Sequence, residues 1–170
     1  GKTYTVTVRT GSGNGTLRLN VLDNNSIKNA ENVPLSAPFN SGETYTVDKI
    51  FLARSVSSQD GYVLETGENA TKGGTKNSTG STLRLGDDNA RKQYRSVLSF
   101  STSGIPDTAV ITKITLKLKK QSVTGGGNPI TTFQGFLMDI KKGVFGTSSL
   151  QSSDFEAGAP KTVGPFSPAL

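Results

Sequence analysis

Short segments in which apolar and polar residues alternate recur along the chain. In Thr3–Thr10, Thr16–Val21 and Glu43–Asp48 nearly every second side chain is apolar or aromatic. A period of two predicts β-strands with one buried and one solvated face. The turn at 11–15 is rich in glycine, so the first two segments are predicted to pair as a hairpin. No long window carries apolar residues at the spacing of a helix.

The same pattern continues beyond residue 50. Val110–Lys120 is the most regular segment, because Ile114, Leu116 and Leu118 alternate with polar residues. The polar segment Thr66–Gly80, the turn 86–89 and most residues after 140 are predicted as loops. The predicted strands of this part are Asp60–Leu64, Thr82–Leu85, Gln93–Ser101, Val110–Lys120 and Thr131–Ile140.

These strands and turns predict an all-β protein with essentially no helix. The spacing fits an antiparallel β-sandwich of jelly-roll or Ig-like type. We expect two β units that meet near residue 50, covering residues 1–49 and 50–170. The first unit has only three predicted strands, which is too few to close a sandwich and leaves exposed edges.

The composition narrows the possible functions. The 170 residues include no Cys and no His. A thiol nucleophile, a thiolate metal site and the commonest general base are therefore absent. No two acidic residues stand out as a hydrolytic pair, so we expect a protein that is not an enzyme. No apolar run approaches the roughly 18 residues that a membrane helix needs, so no membrane insertion is expected.

The charge balance indicates an anionic partner. Lys and Arg number 19 against 13 Asp and Glu, which gives a net charge of +6. Basic side chains are predicted to gather on one flat sheet face, where Arg suits bidentate carboxylate recognition. The alternative is that these side chains only keep a solvated edge soluble. The candidate ligand-binding residues are Arg84, Arg91, Lys92, Arg95, Lys113, Lys117 and Lys119.

The placement of aromatic residues helps to distinguish nucleic acid from polysaccharide as the anionic partner. Single-stranded nucleic acids are usually bound on exposed aromatic rings, and none lies between these lysines. This argues against nucleic acid. Tyr62 and Tyr94 are the aromatic residues here that could form a sugar-binding platform, and their alternative role is that of half-buried strand residues.

One turn offers oxygen ligands to a cation. Asp87, Asp88 and Asn89, with Asp60, are weak candidates for a structural calcium site. The spacing lacks the glycine and the closing glutamate of an EF-hand, so a plain turn is the favoured explanation of these residues. No other cofactor is expected.

Two stretches resemble known families. Residues 3–48 resemble the C-terminal part of a bacterial Ig-like repeat, through Tyr4–Val8, Thr10–Thr16, Asp23–Ile27, Pro34-Leu35 and Ser41–Val47. Residues 59–140 resemble the DNRLRE domain, through Asp60–Val63, Leu83–Gly86, Arg95–Phe100, Gly104–Pro106 and Ile111–Leu118. The last strands of the DNRLRE domain have no counterpart in this sequence, so we expect a fragment or a processed protomer.

The resemblance implies an extracellular β-sandwich that binds polysaccharide, in some members an acidic one. We therefore expect a non-catalytic extracellular or cell-surface module of a large secreted protein, which binds acidic polysaccharide or mediates adhesion. The alternative is a structural protomer of an extracellular filament or surface array. In that case neighbouring copies are the partners, and strands of one subunit complete the sheet of the next.

Overall fold

The structure is a computed structural model that describes Thr3 and residues 5–168. Its regular structure consists mostly of strands in antiparallel sheets, with two single helical turns, α1 (Pro129–Thr132) and a 3-10 turn (Ser152–Phe155). The predicted all-β class is confirmed, and its sandwich arrangement stays a prediction. The strands are β1 (Gly15–Arg18), β2 (Thr44–Val47), β3 (Gly61–Glu65), β4 (Gly73–Asn77), β5 (Gly86–Asp87), β6 (Gln93–Val97), β7 (Phe136–Ile140) and β8 (Lys161–Phe166).

The chain forms two compact units, each built from two separate stretches of the sequence. The first contains Gly1–Leu52 and Ser103–Ile114, and the second contains Ala53–Thr102 and Thr115–Leu170. The predicted division into 1–49 and 50–170 stays a prediction, and in the structure Ser103–Ile114, from the second range, belongs to the first unit.

In the first unit β1 pairs antiparallel with β2, Leu17 opposite Tyr45. The predicted hairpin between Thr3–Thr10 and Thr16–Val21 is wrong, because the described residues of Thr3–Thr10 form no strand. Tyr4 lies outside the described residues. Val6 and Val8 are 60% and 47% exposed, so the alternation there has no layer to pack against. Asn14 instead accepts a hydrogen bond from the backbone of Lys49, which directs β1 toward β2.

The second unit contains a four-stranded antiparallel sheet in the order β4-β3-β6-β5. Its core lies on one face, where Val63 is fully buried against Leu150 and Phe155. Leu150 and Phe155 belong to the segment around the 3-10 turn, which the sequence predicted as loop. A single short segment far along the chain from β3 thus covers the buried residue of that strand.

Strand β4 shows why part of this sheet was not predicted. The sequence there is polar and begins with Gly73-Gly74, so Thr66–Gly80 was predicted as a loop. A Cβ on Gly73 would lie 1.9 Å from the carbonyl oxygen of Ser152 and 2.7 Å from the Cβ of Phe155. The glycine therefore allows the 3-10 turn to approach the strand. Strand propensity, which disfavours glycine, could not predict this role.

The last sheet pairs β7 with β8, Met138 opposite Val163. The predicted strand Thr131–Ile140 is correct only from Phe136 onward. Before it, the Asn128 side chain accepts a hydrogen bond from the backbone of Ile130 and caps the single turn α1, with proline in the first turn. Strand β8 lies in a region where the sequence predicts loops.

The most regular predicted strand, Val110–Lys120, is not a strand in the structure. Its apolar side chains are exposed, Ile114 at 80% and Leu118 at 56%. Alternation shows that a segment can occupy a half-buried position in a sheet, but a strand also needs a partner. Among the described residues no strand lies beside this segment.

Candidate functional site

The strand register of β3 and β6 divides the four-stranded sheet into two chemically different faces. Leu64 lies opposite Tyr94, and Tyr62 lies opposite Ser96. Residues that face each other across an antiparallel pair project to the same side. Tyr62 and Tyr94 therefore share the face that points away from Val63 and the core. We call this side the tyrosine face.

Three side chains meet on the tyrosine face. The rings of Tyr62 and Tyr94 have centroids 5.5 Å apart and planes at 82°, an edge-to-face arrangement. The guanidinium carbon of Arg84 lies 5.2 Å from the Tyr62 centroid and 5.5 Å from the Tyr94 centroid. Its Nη1 donates a hydrogen bond of 3.2 Å to the Tyr94 hydroxyl. The cation and both rings thus form one cluster, held by hydrogen bonding and cation–π attraction.

Arg84 reaches this position without being part of a strand. The predicted strand Thr82–Leu85 is wrong, since these residues make no ladder pairing. Instead the Ser96 hydroxyl accepts a hydrogen bond from the Arg84 backbone N–H at 3.1 Å and donates one to its carbonyl at 2.7 Å. Ser96 thereby holds the Arg84 backbone against the sheet. The alternation of β6 could have shown that Ser96 and Tyr94 share a face, but not that Ser96 binds Arg84.

The contacts on the tyrosine face favour the protonated, positively charged form of Arg84. The bond to the Tyr94 hydroxyl, and then the proximity of both phenols, raise the pKa of Arg84 above its ordinary value. Tyr62 is fixed in turn by the Asn77 amide, which donates to its hydroxyl at 3.4 Å. Arg84 makes no ion pair among the described residues. The face therefore presents a permanent cation beside two half-buried rings.

Arg95, a second candidate, lies on the opposite face of the same sheet. It is paired with Val63 in the register, and its guanidinium stacks 4.2 Å from the centroid of the Phe155 ring. Its Nη1 donates a 2.6 Å hydrogen bond to the Phe155 carbonyl. Arg95 thus stabilises the cover of the core. It also lines an open depression of about 370 Å³ together with Glu65, Asn69, Ala70, Thr71, Phe155 and Glu156.

Two further candidates belong to a turn. Arg91 has a positive φ of 61° and forms a 2.8 Å ion pair with Glu68. Lys92 lies 3.9 Å from the carboxylate of Asp88. Each cation already has an acidic partner, in contrast to Arg84.

The three candidate lysines are not on a sheet. Lys113, Lys117 and Lys119 are all exposed, and none lies in a strand. Lys113 belongs to the first compact unit, and the other two belong to the second. The predicted single basic sheet face is therefore wrong, since Arg84 packs on one face of the four-stranded sheet and Arg95 lies on the other.

Two of the four candidate calcium ligands, Asp60 and Asp88, accept hydrogen bonds from backbone N–H groups. Asp88 accepts hydrogen bonds from the backbone of Ala90 and Lys92 at 2.8 and 2.9 Å, the pattern of a self-closing turn. Asp60 accepts from the backbone of Ser99 at 3.0 Å. Asp87 lies in β5, and Asn89 lies in the turn. Over Thr3 and residues 5–168, no three His, Cys, Asp or Glu residues are grouped as a metal site would require.

Comparisons with known proteins found no protein family, curated protein or solved structure that matches this chain. In the part of the chain that the structure describes, no helix has the length and apolar character needed to cross a bilayer.

Proposed function

We propose that this chain is a non-catalytic extracellular β module that binds an acidic polysaccharide on its tyrosine face. One observation carries the proposal: Arg84, which forms no ion pair with any described residue, lies against two tyrosine rings on a sheet face turned away from the core. The resemblance of residues 59–140 to the DNRLRE family supports the same ligand class and an extracellular location.

The chemistry of the cluster suits a sugar acid. Tyrosine offers an apolar ring and a polar hydroxyl, which together match the apolar and hydroxylated parts of a sugar ring. A guanidinium has five N–H donors, and only one Arg84 donor contacts a described side chain. The remaining donors can bind a carboxylate in the two-pronged manner that lysine cannot achieve.

The charge of the whole chain adds a long-range contribution. A net charge of +6 attracts polyanions and accelerates their encounter with the protein. This attraction does not select among polyanions and is screened by salt. Selectivity has to come from the cluster, because there the cation and the rings have a fixed geometry.

The test compares binding to polygalacturonate, dextran sulfate and neutral dextran across a salt series. Substitution of the exposed Arg84 by alanine is expected to weaken polygalacturonate binding roughly tenfold, as loss of one charge-assisted pair. Arg84→Lys keeps the charge and is expected to recover only part of the affinity. Arg91→Ala is the matched control, because it removes an equally charged side chain from a turn and leaves the tyrosine face intact.

Two results would contradict the proposal. One is wild-type affinity of Arg84→Ala for polygalacturonate. The other is equal loss in Arg84→Ala and Arg91→Ala, which would mean that only net charge matters. Equal affinity for dextran sulfate and polygalacturonate would reduce the site to a non-selective cationic surface.

A further inference from the structure

Residues 110–120 make no hydrogen bond with any described residue, through either backbone or side chain. We call this segment the free strand. When such a segment becomes extended, its unpaired backbone N–H and C=O groups are equivalent to an open sheet edge, which templates pairing with another strand. The free strand thus has a full set of ladder hydrogen bonds still to make.

The side chains of the free strand have the pattern of a strand with one covered face. In a β-strand Ile114, Leu116 and Leu118 would project to one side, and in the structure they are 80%, 36% and 56% exposed. Lys113, Lys117 and Lys119 would project to the other side. An apolar row of this kind is stable when a second sheet surface or strand covers it.

The accessible surface indicates that much more than one strand face is uncovered. The chain exposes 13600 Å². Two separate folded units of these sizes would together expose about 9,500 Å² by the scaling of surface with mass. The excess exceeds the roughly 1,600 Å² that a standard protein interface buries. A specific association therefore has ample surface to cover.

An edge that fits the free strand exists on the same chain. The β7–β8 sheet has two strands among the described residues, and a lone pair of strands is marginally stable in water. The open edge belongs to β7, where Leu137 and Ile140 are 69% and 41% exposed. Asp139 supplies an acidic side chain on the strand that would lie beside the lysines.

We propose that the free strand of one copy pairs antiparallel with the open edge of β7 in a second copy, placing Lys117 opposite Asp139. In this register Leu118 lies opposite Met138 and Leu116 opposite Ile140, so the apolar faces also coincide. A second copy of the chain is the partner because each chain carries both the free strand and the β7 edge that complements it. Donor and acceptor differ, so repetition of the contact gives an open chain of subunits. This assembly does not depend on polysaccharide binding.

The test is a charge exchange measured by sedimentation velocity over a concentration series at physiological ionic strength. The wild-type chain is expected to associate as its concentration rises. Lys117→Asp and Asp139→Lys each place like charges opposite each other and are expected to weaken association roughly tenfold. An equimolar mixture of the two variants restores opposite charges at every contact and is expected to associate as wild type.

A second pair of variants separates backbone pairing from charge. Thr115→Pro removes an N–H from the middle of the free strand and is expected to abolish association. Ser122 lies beyond the free strand and also makes no hydrogen bond with any described residue, so Ser122→Pro is the control that should associate normally. Circular dichroism checks that both variants remain folded.

Three results would overturn the proposal. The first is a wild-type chain that stays monomeric at all concentrations. The second is a mixture of the charge variants that does not recover association. The third is hydrogen-exchange protection of residues 110–120 in a monomer, because the strand would then be paired within its own chain.

Discussion

Replacement of Gly73 by alanine tests the packing that defines the core of the second unit. The added Cβ would lie 1.9 Å from the Ser152 carbonyl oxygen. Both atoms are held by backbone, so neither can move aside without separating β4 from the 3-10 turn. The turn carries Phe155, which is 2% exposed and covers Val63.

The cost follows from the contacts that this separation breaks. Exposure of the Phe155 side chain costs about 1.5–3 kcal/mol. Two hydrogen bonds are also lost, from the Ser152 hydroxyl to the Gly74 carbonyl at 2.6 Å and from the Gly73 backbone to Glu156 at 3.0 Å. Each contributes about 0.5–1.5 kcal/mol net. We therefore expect the free energy of unfolding to fall by about 2.5–6 kcal/mol.

The assay is urea and thermal unfolding, followed by circular dichroism, with Gly67→Ala as control. A Cβ on Gly67 meets no atom within 4 Å, so that variant should be neutral or slightly stabilised. Gly73→Ala is expected to lower the melting temperature by on the order of 10 °C or more. If Gly73→Ala were as stable as Gly67→Ala, the 3-10 turn would not pack on β4 and the proposed core would be wrong.

Two further predictions concern hydrogen bonds at the surface. Ser96→Ala removes both hydrogen bonds between the Ser96 hydroxyl and the Arg84 backbone. Polygalacturonate binding should therefore weaken several-fold, although the Arg84 side chain remains. The free energy of unfolding, measured with urea, should fall by only about 1 kcal/mol. Unchanged binding in a folded Ser96→Ala protein would show that Ser96 does not position Arg84. The Tyr45 hydroxyl donates to Glu43 at 2.6 Å, and this bond raises the pKa of Tyr45 above 10.0 because the carboxylate favours the protonated phenol. Glu43→Gln should lower that pKa, measured by absorbance titration of the phenolate, and no decrease would mean that the bond is absent in solution.

The tyrosine face shows how far sequence reasoning reached for the site. Tyr62, Tyr94 and Arg84 were all recognised as candidates, because their residue types carry the chemistry of sugar and carboxylate recognition. Their convergence could not be predicted, since it depends on the register of β3 against β6. A shift of one residue would move Tyr94 to the core face.

The sequence by itself determined the all-β class, the positions of β2, β3 and β6, and the excess of positive charge. Each depends on local pattern or composition. Only the tertiary structure decided which strands pair, because pairing joins residues far apart in the chain. It placed the polar strand β4 beside β3, where Gly73 allows the 3-10 turn to approach. It gave the alternating segment Val110–Lys120 no strand partner among the described residues. An alternating pattern shows which face of a strand can be buried. Which residues cover that face depends on the fold of the whole chain.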